Sequence, residues 1–391
     1  MRDRALVFDL TRHVARLLEN RLPTGIDRVG MEYIRRYGNR SRALIRWRDR
    51  WLFLSARDSE GIFQDILFPG PTSSLRIRAA VGKAYLGFGV GPAPGSVLLN
   101  VVHSGVNEPA YQGKIAGARL RAAYFLHDLI PLTHPEYNRL EEKKRHQGRL
   151  ETMAASGELV ILNSEFTRNA FEQWLGPDRS HRPRCIVAPL APAQLGPRDS
   201  AAPISGAYFV VLGTIEPRKN HLLLLHIWRE LAETLGASAP KLVVIGQRGW
   251  ECEQAVNMLE RCPGLRDCVI EMGRCEDEEI ASWLAHARAL LFPSFVEGFG
   301  LPLIEALAVG VPAIVSDIPV FHEIAGAVPE FLDPIDGMGW KRAILDYLSP
   351  DAPRRLAQRH RMKGFRVPTW DDHFALVDPE IEALFEVAPP S

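Results

Sequence analysis

Short continuous apolar runs recur along this chain, of the kind a strand buried on both faces requires. They fall at 5–9, 43–47, 51–54, 96–103, 124–126, 159–162 and 185–187, and again at 207–212, 241–245, 269–272, 290–293 and 313–315. Between them the apolar spacing lengthens to a helical period. Asp27 reads as the cap of a helix to Tyr37, Ser164 as the cap of one through Trp174, and Asp336 as the cap of one reaching Tyr347. Helices are also expected over 137–155 and 277–286, and 370–385 has the spacing of an amphipathic helix. Residues 319–323 read as a turn. The Gly/Pro-rich stretch 69–95 follows neither period. Strand alternating with helix predicts an α/β protein with parallel sheets, and the Pro/Ala/Gly-rich stretch 189–202 reads as a linker between two such domains.

The most explicit unit is 290–317. An apolar run leads into the loop Glu297-Gly298-Phe299-Gly300, an Ala/Leu-rich helix stops at Gly310-Val311-Pro312, and a second apolar run follows. This βαβ pattern sets the loop and the helix N-terminus at the C-terminal edge of a parallel sheet, where open α/β sheets bind ligands.

Composition narrows the class. The chain has 391 residues, 46% hydrophobic and 24% charged, with 47 basic and 47 acidic side chains, enough for two domains with separate cores and too balanced for a nucleic-acid binder. Charge is uneven, however: residues 1–50 hold thirteen arginines against six acids. Such an excess fits an anionic partner, a membrane surface or a lipid-linked phosphate, or else an Arg-rich solvated surface. Five cysteines with no C-x2-C spacing suggest neither a disulfide framework nor a zinc site, and fit a reducing cytoplasm. The sequence MRDRALVFDL has no apolar leader core, and no run approaches the ~18 apolar residues of a spanning helix. The expectation is a cytoplasmic protein, peripheral at the inner face of a membrane at most.

Candidate chemistry gathers at the predicted β-to-α turns. Glu297 and Glu305 bracket a helix N-terminus, which attracts phosphate through unpaired amides and a partial positive charge. Carboxylates beside it suit hydroxyls, as on a sugar or ribose; the alternative is a capping Glu and a solvated one. Upstream, Arg218 and Lys219 in GTIEPRKN set two cations at another helix start, a diphosphate clamp or a solvated basic turn. Arg248, in the next turn, can reach phosphate or solvent. His127-Asp128 closes an apolar run, Gly25 precedes a helix, and His103 is a weaker candidate on the same side.

Glu297 and Glu305 within FPSFVEGFGLPLIEALAVGVPAIVSDIPVFHEIAG, preceded by GTIEPRKN, resemble the retaining glycosyltransferases of the large GT4 family, and HDLIPLTHPEY resembles the family segment whose His touches the donor sugar. The resemblance implies a GT-B fold, two Rossmann-like α/β domains facing each other across a cleft. It implies an acceptor domain over 1–195, a linker at 196–205, a nucleotide-sugar domain over 206–369, and a final helix, 370–391, crossing back to the first domain. His127, Arg218, Lys219 and Glu297 then take catalytic roles. Gly25, Gly213, Arg248, Phe299, Gly300, Leu301 and Glu305 bind the donor. Two departures stand out: the family usually has Gly-Gly where this chain has Thr24-Gly25, and some members carry an arginine at the position of Thr214, which makes Lys219 the stronger cation here.

By the same resemblance a nucleotide-diphosphate sugar, with GDP-mannose as the expected donor, supplies a glycosyl group to a glycan or lipid-linked oligosaccharide acceptor. Retention, no cofactor and no metal are expected, and no Asp-x-Asp stands at a strand end. A phosphorylase would need a pyridoxal-phosphate lysine site, which no segment resembles. The other alternative is a non-catalytic sugar-nucleotide-binding subunit of a glycan-assembly complex.

Overall fold

The computed structural model describes residues 5–89, 91–193, 201–273 and 275–386. These divide into two compact units: 5–132 with 141–189 and 370–386, and 133–140 with 190–369. The predicted linker falls partly on 194–200, outside the described residues.

In the first unit seven strands form one sheet: β1 (Leu6–Asp9), β2 (Ser41–Trp47), β3 (Arg50–Phe53), β4 (Val97–Asn100), β5 (Arg121–Leu126), β6 (Gly157–Leu162) and β7 (Arg184–Val187). Their order is β3-β2-β1-β4-β5-β6-β7, parallel except for the β2–β3 hairpin. Every residue of β1, β4 and β5 is buried, which is why they read as unbroken apolar runs. The core on one face joins Val7, Leu98 and Tyr124 to Leu150 and Phe171 of the flanking helices.

The second unit has six parallel strands: β8 (Tyr208–Leu212), β9 (Lys241–Ile245), β10 (Val269–Met272), β11 (Leu290–Phe292), β12 (Ala313–Ser316) and β13 (Glu330–Leu332). Their order, β10-β9-β8-β11-β12-β13, is that of the doubly wound dinucleotide-binding folds. Trp228 and Trp340, fully buried, fill its core beside Phe209 and Leu242.

Two expected caps hold: Ser164 Oγ accepts from Thr167 N at 3.0 Å, and Asp336 Oδ1 accepts from Gly339 N at 2.9 Å. At the first helix the cap differs. Thr24, not Asp27, precedes the helix Gly25–Tyr37, and Asp27 sits in its first turn, with Oδ2 accepting from Thr24 N at 2.8 Å, a reciprocal capping box. The stretch that followed no period contains the helix Ser73–Lys83, preceded by the helix Ala56–Leu67, which starts at Ser55. The expected helix over 137–155 begins later, at Glu142, after a short 3₁₀ turn Pro135–Tyr137. Pro319 opens a helix to Ala325 where a turn was expected, because proline with no N–H is at home in a first helical turn.

The arginine excess of residues 1–50 is largely answered within the first unit. Arg12 and Arg16 pair with Asp27, Arg46 with Asp9 and Glu108, and Arg36 and Arg40 with Asp378 and Glu382 of the helix Trp370–Glu386. That helix packs on β4, β6 and β7, and Tyr33 OH meets His373 Nε2 at 2.9 Å. Among the described residues no helix is long and apolar enough to cross a membrane.

Candidate active site

In the second unit β8 and β11 are neighbours at the point where the strand order reverses, the switch point outside whose carboxyl edge doubly wound sheets form their ligand crevice. The loops after these two strands are 213–220 and 293–300. They are stitched together by backbone: Phe295 N donates to Arg218 O at 2.8 Å, and Arg218 Nη1 donates to Val296 O at 3.1 Å. The next turn joins them, since Ile215 N donates to Gln247 O at 2.9 Å and Gly249 N to Ile215 O at 3.0 Å.

The two loops bring opposite charges into contact. Lys219 Nζ lies 2.6 Å from Glu297 Oε1, and Arg218 Nη1 lies 2.7 Å from Glu297 Oε2. Arg218 Nε is held in turn by Glu216 Oε1 at 2.7 Å. Lys219 Nζ also stands 4.7 Å from the centre of the Phe292 ring. Lys219, Glu297 and Glu216 are all buried, so each charge depends on its partner. Burial would raise the Glu297 carboxyl, but Arg218 and Lys219 bring it down to about 2. Burial pulls Lys219 down, and Glu297 opposes that pull. Glu297 is therefore ionised at neutral pH, and the side chains of Lys219 and Arg218 face the carboxylates of Glu297 and Glu216.

Gly213 adopts φ +141°, a conformation that L side chains rarely take, and it packs beside the Lys219 stem, where a Cβ would stand 3.4 Å from Lys219 Cε. Gly300 ends the second loop at φ +114° and precedes the helix Leu301–Ala308. A Cβ there would come within 2.7 Å of Phe321 Cε1. Gly300→Ala is thus expected to lower stability by about 1–3 kcal/mol through backbone strain alone, read as a lower thermal midpoint. Phe299 is buried, Leu301 half-buried. Glu305, one turn into the helix, is 3% exposed, which removes the solvated-glutamate reading.

Eight of the expected residues, Gly213, Arg218, Lys219, Glu297, Phe299, Gly300, Leu301 and Glu305, thus lie on these two adjacent loops and the helix they open. Arg248 lies on the adjoining turn and is paired with carboxylates. Its backbone bridges to Ile215, but its guanidinium is tied to Glu260 and, at 2.8 and 2.9 Å, to both oxygens of Glu271. Two carboxylates already answer the charge that was expected to face phosphate.

His127 and Gly25 belong to the first unit. His127 follows β5; its Nε2 donates to Val101 O at 2.7 Å, which leaves Nδ1 as the acceptor, and burial lowers its pKa to about 4, so the ring is neutral. Asp128 does not pair with it: Asp128 Oδ1 accepts from Ile130 N at 3.0 Å. His103 mirrors the arrangement, donating Nε2–H to Phe125 O at 2.7 Å, with its ring centre 5.0 Å from that of His127. Gly25 is the first residue of its helix, and the buried Asp27 carboxylate already stands at that N-terminus.

Sequence reasoning missed Glu216, although it lies two residues before Arg218 in the same motif. It also missed Tyr137, whose ring stacks on Phe295 at 5.5 Å and whose carbonyl accepts from Trp250 Nε1 at 3.1 Å. No local signal links those positions.

Comparison with known proteins places a family domain within the second unit. Residues 197–358 match the family described as glycosyl transferases group 1. This segment is a group 1 glycosyltransferase domain. It contains both loops of the crevice and every charged member of the cluster. The chain is 29% identical over 260 residues to the O-antigen chain mannosyltransferase B of Escherichia coli, covering 64% of this chain and 68% of that one. It is 30% identical over 224 residues to the serotype-specific mannosyltransferase WbdA of Escherichia coli, covering 52% of this chain but 27% of the relative. Among solved structures, Anabaena HepE in complex with UDP-glucose superposes with a TM-score of 0.68 over 96% of this chain and 99% of that one, at 14% identity. The group 1 domain and its companion unit are thus two parallel-sheet α/β units of the GT-B class.

Proposed function

We propose that this glycosyltransferase moves a mannosyl group from a nucleoside-diphosphate sugar, GDP-mannose, to a hydroxyl of a glycan or lipid-linked oligosaccharide during bacterial surface polysaccharide synthesis, with retention at the anomeric carbon. The observation that carries the reading is the buried cluster of Lys219, Arg218 and Glu297 at the switch point of the second sheet. The mannosyltransferase relatives support the sugar.

Transfer breaks the bond from the anomeric carbon to the diphosphate and forms one to the acceptor oxygen on the same face. Negative charge grows on the departing diphosphate, and stabilising it is the main electrostatic task. Lys219 and Arg218 are the cations for that task, with the N-terminus of the helix Leu301–Ala308 beside them. Without donor, Glu297 and Glu216 face the two cations. An arriving diphosphate competes with Glu297 for them, and the freed carboxylate takes a sugar hydroxyl. The acceptor proton passes to the departing phosphate oxygen. Glu305 holds the nucleotide ribose. Arg248 is left out of this scheme.

Two protein cations and a helix terminus supply the charge that a metal would otherwise bring, so the reaction runs without one. Transfer of labelled mannose from GDP-mannose to a mannose-terminated acceptor is therefore expected to be unaffected by a chelator. Loss of activity restored by Mg²⁺ or Mn²⁺ would overturn the metal-free reading, and a product of inverted anomeric configuration would overturn retention.

A further inference from the structure

The first unit holds a cavity of about 460 Å³ that the transfer reaction does not use, walled by Val14, Leu18, Ile45, Ile77 and Val81. That is roughly three times the ~150 Å³ of an apolar cavity that takes a benzene ring. Trp47 and Tyr85 also line it, and both are largely exposed, at 52% and 40%. Beyond Tyr85 the chain turns at Gly87, φ +94°, and presents Leu86 and Phe88 to solvent at 74% each. On the helix Ser73–Lys83, Leu75, Arg78 and Gly82 share one face by their spacing, and Leu75 is 69% exposed.

Cations stand among these apolar groups. Arg48 and Arg78 line the cavity, and among the described residues neither has a carboxylate partner, whereas nearby Arg76 and Lys83 are paired with Asp65 and Asp58. Arg50 lies over the Tyr85 ring at 4.7 Å. Exposed Trp, Tyr, Leu and Phe beside unpaired arginines are the composition of a surface that lies in the interface of an anionic bilayer. A second copy of the chain fits poorly, since a two-fold pairing of this face would set one cationic patch, Arg48 and Arg78, against the same patch of the other copy.

We propose that this face docks on an anionic lipid bilayer, with one hydrocarbon chain entering the cavity beside Trp47 and headgroup phosphates meeting Arg48 and Arg78. Within residues 1–50, Arg12, Arg16, Arg21, Arg35, Arg36, Arg40 and Arg46 are paired with carboxylates, whereas Arg48 joins Arg78 of the helix Ser73–Lys83 on this face.

The test is partition of the full chain onto vesicles of phosphatidylcholine with and without phosphatidylglycerol, measured without donor or acceptor, so that its outcome is independent of the proposed transfer. Partition onto the anionic vesicles is expected to exceed that onto phosphatidylcholine by at least about tenfold. Leu86→Ser with Phe88→Ser, both at exposed positions, is expected to lower it about tenfold. Arg48→Gln with Arg78→Gln should lower it about thirtyfold. Phosphatidylglycerol with brominated chains should quench tryptophan emission, and Trp47→Phe should remove that quenching. Equal partition onto both vesicles, wild-type partition by both double variants, or quenching that survives Trp47→Phe would overturn the proposal. So would a dimer that Leu86→Ser with Phe88→Ser dissociates while vesicle binding is absent.

Discussion

Lys219→Ala is expected to lower kcat by about 10²–10³-fold, the loss seen when one preorganised donor to a developing oxyanion is removed. The lysine is buried and its ammonium lies 2.6 Å from Glu297 Oε1. Arg218 stays bound to Glu216 and Glu297 in the variant, so the fold should persist and the loss should be in turnover. Steady-state kinetics with a matched thermal unfolding curve checks this. Turnover within about threefold of wild type would remove Lys219 from the chemistry.

Glu297→Gln should cost both activity and stability. It leaves Lys219 buried without its nearest counter-charge, and breaking a buried pair from one side costs about 3–5 kcal/mol. The pH dependence carries the sign. Because Glu297 titrates at about 2 in the folded chain, below its ordinary value, its stabilisation is complete above the ordinary carboxylate range and is lost as pH falls towards 2. The variant should lack that acid-labile increment. At the alkaline end, loss of Glu297 removes the charge that holds the Lys219 proton, so Lys219 should deprotonate at lower pH and the alkaline limb of kcat/KM should move down. Unfolding curves and pH–rate profiles of the two proteins would show both effects. An unchanged alkaline limb would mean that Lys219 does not set it.

The crevice was legible because its chemistry is local. Glycines that must take positive φ, cations at a helix start and a glutamate before the next helix are each written within eight or nine residues of sequence. What the sequence did not carry was pairing at a distance. That β8 lies beside β11, and so that Lys219 meets Glu297, needs contacts 78 positions apart. The answers to much of the arginine excess are distant for the same reason: Arg36 and Arg40 find their carboxylates 342 positions away, on the last helix. The partners of Arg248 are distant too, since Glu260 and Glu271 come from later elements. Other misses were local and readable. Thr24 three residues before Asp27 is a capping-box spacing, and so is Ser55 before Asp58, whose amide donates to Ser55 Oγ at 3.1 Å.

The central claim is that the cluster of Lys219, Arg218 and Glu297 receives the diphosphate of a nucleotide sugar. The most direct measurement is the thermal midpoint of the wild type and of Lys219→Ala with GDP-mannose, GDP and, for comparison, UDP-glucose and dTDP sugars. A ligand that binds only the folded chain stabilises it by about 2.7 kcal/mol at a hundred times its Kd. GDP-mannose and GDP should raise the wild-type midpoint, the other nucleotides should do so less, and Lys219→Ala should lose most of the shift. An equal shift in Lys219→Ala, or no shift of the wild type with any nucleotide sugar, would contradict it.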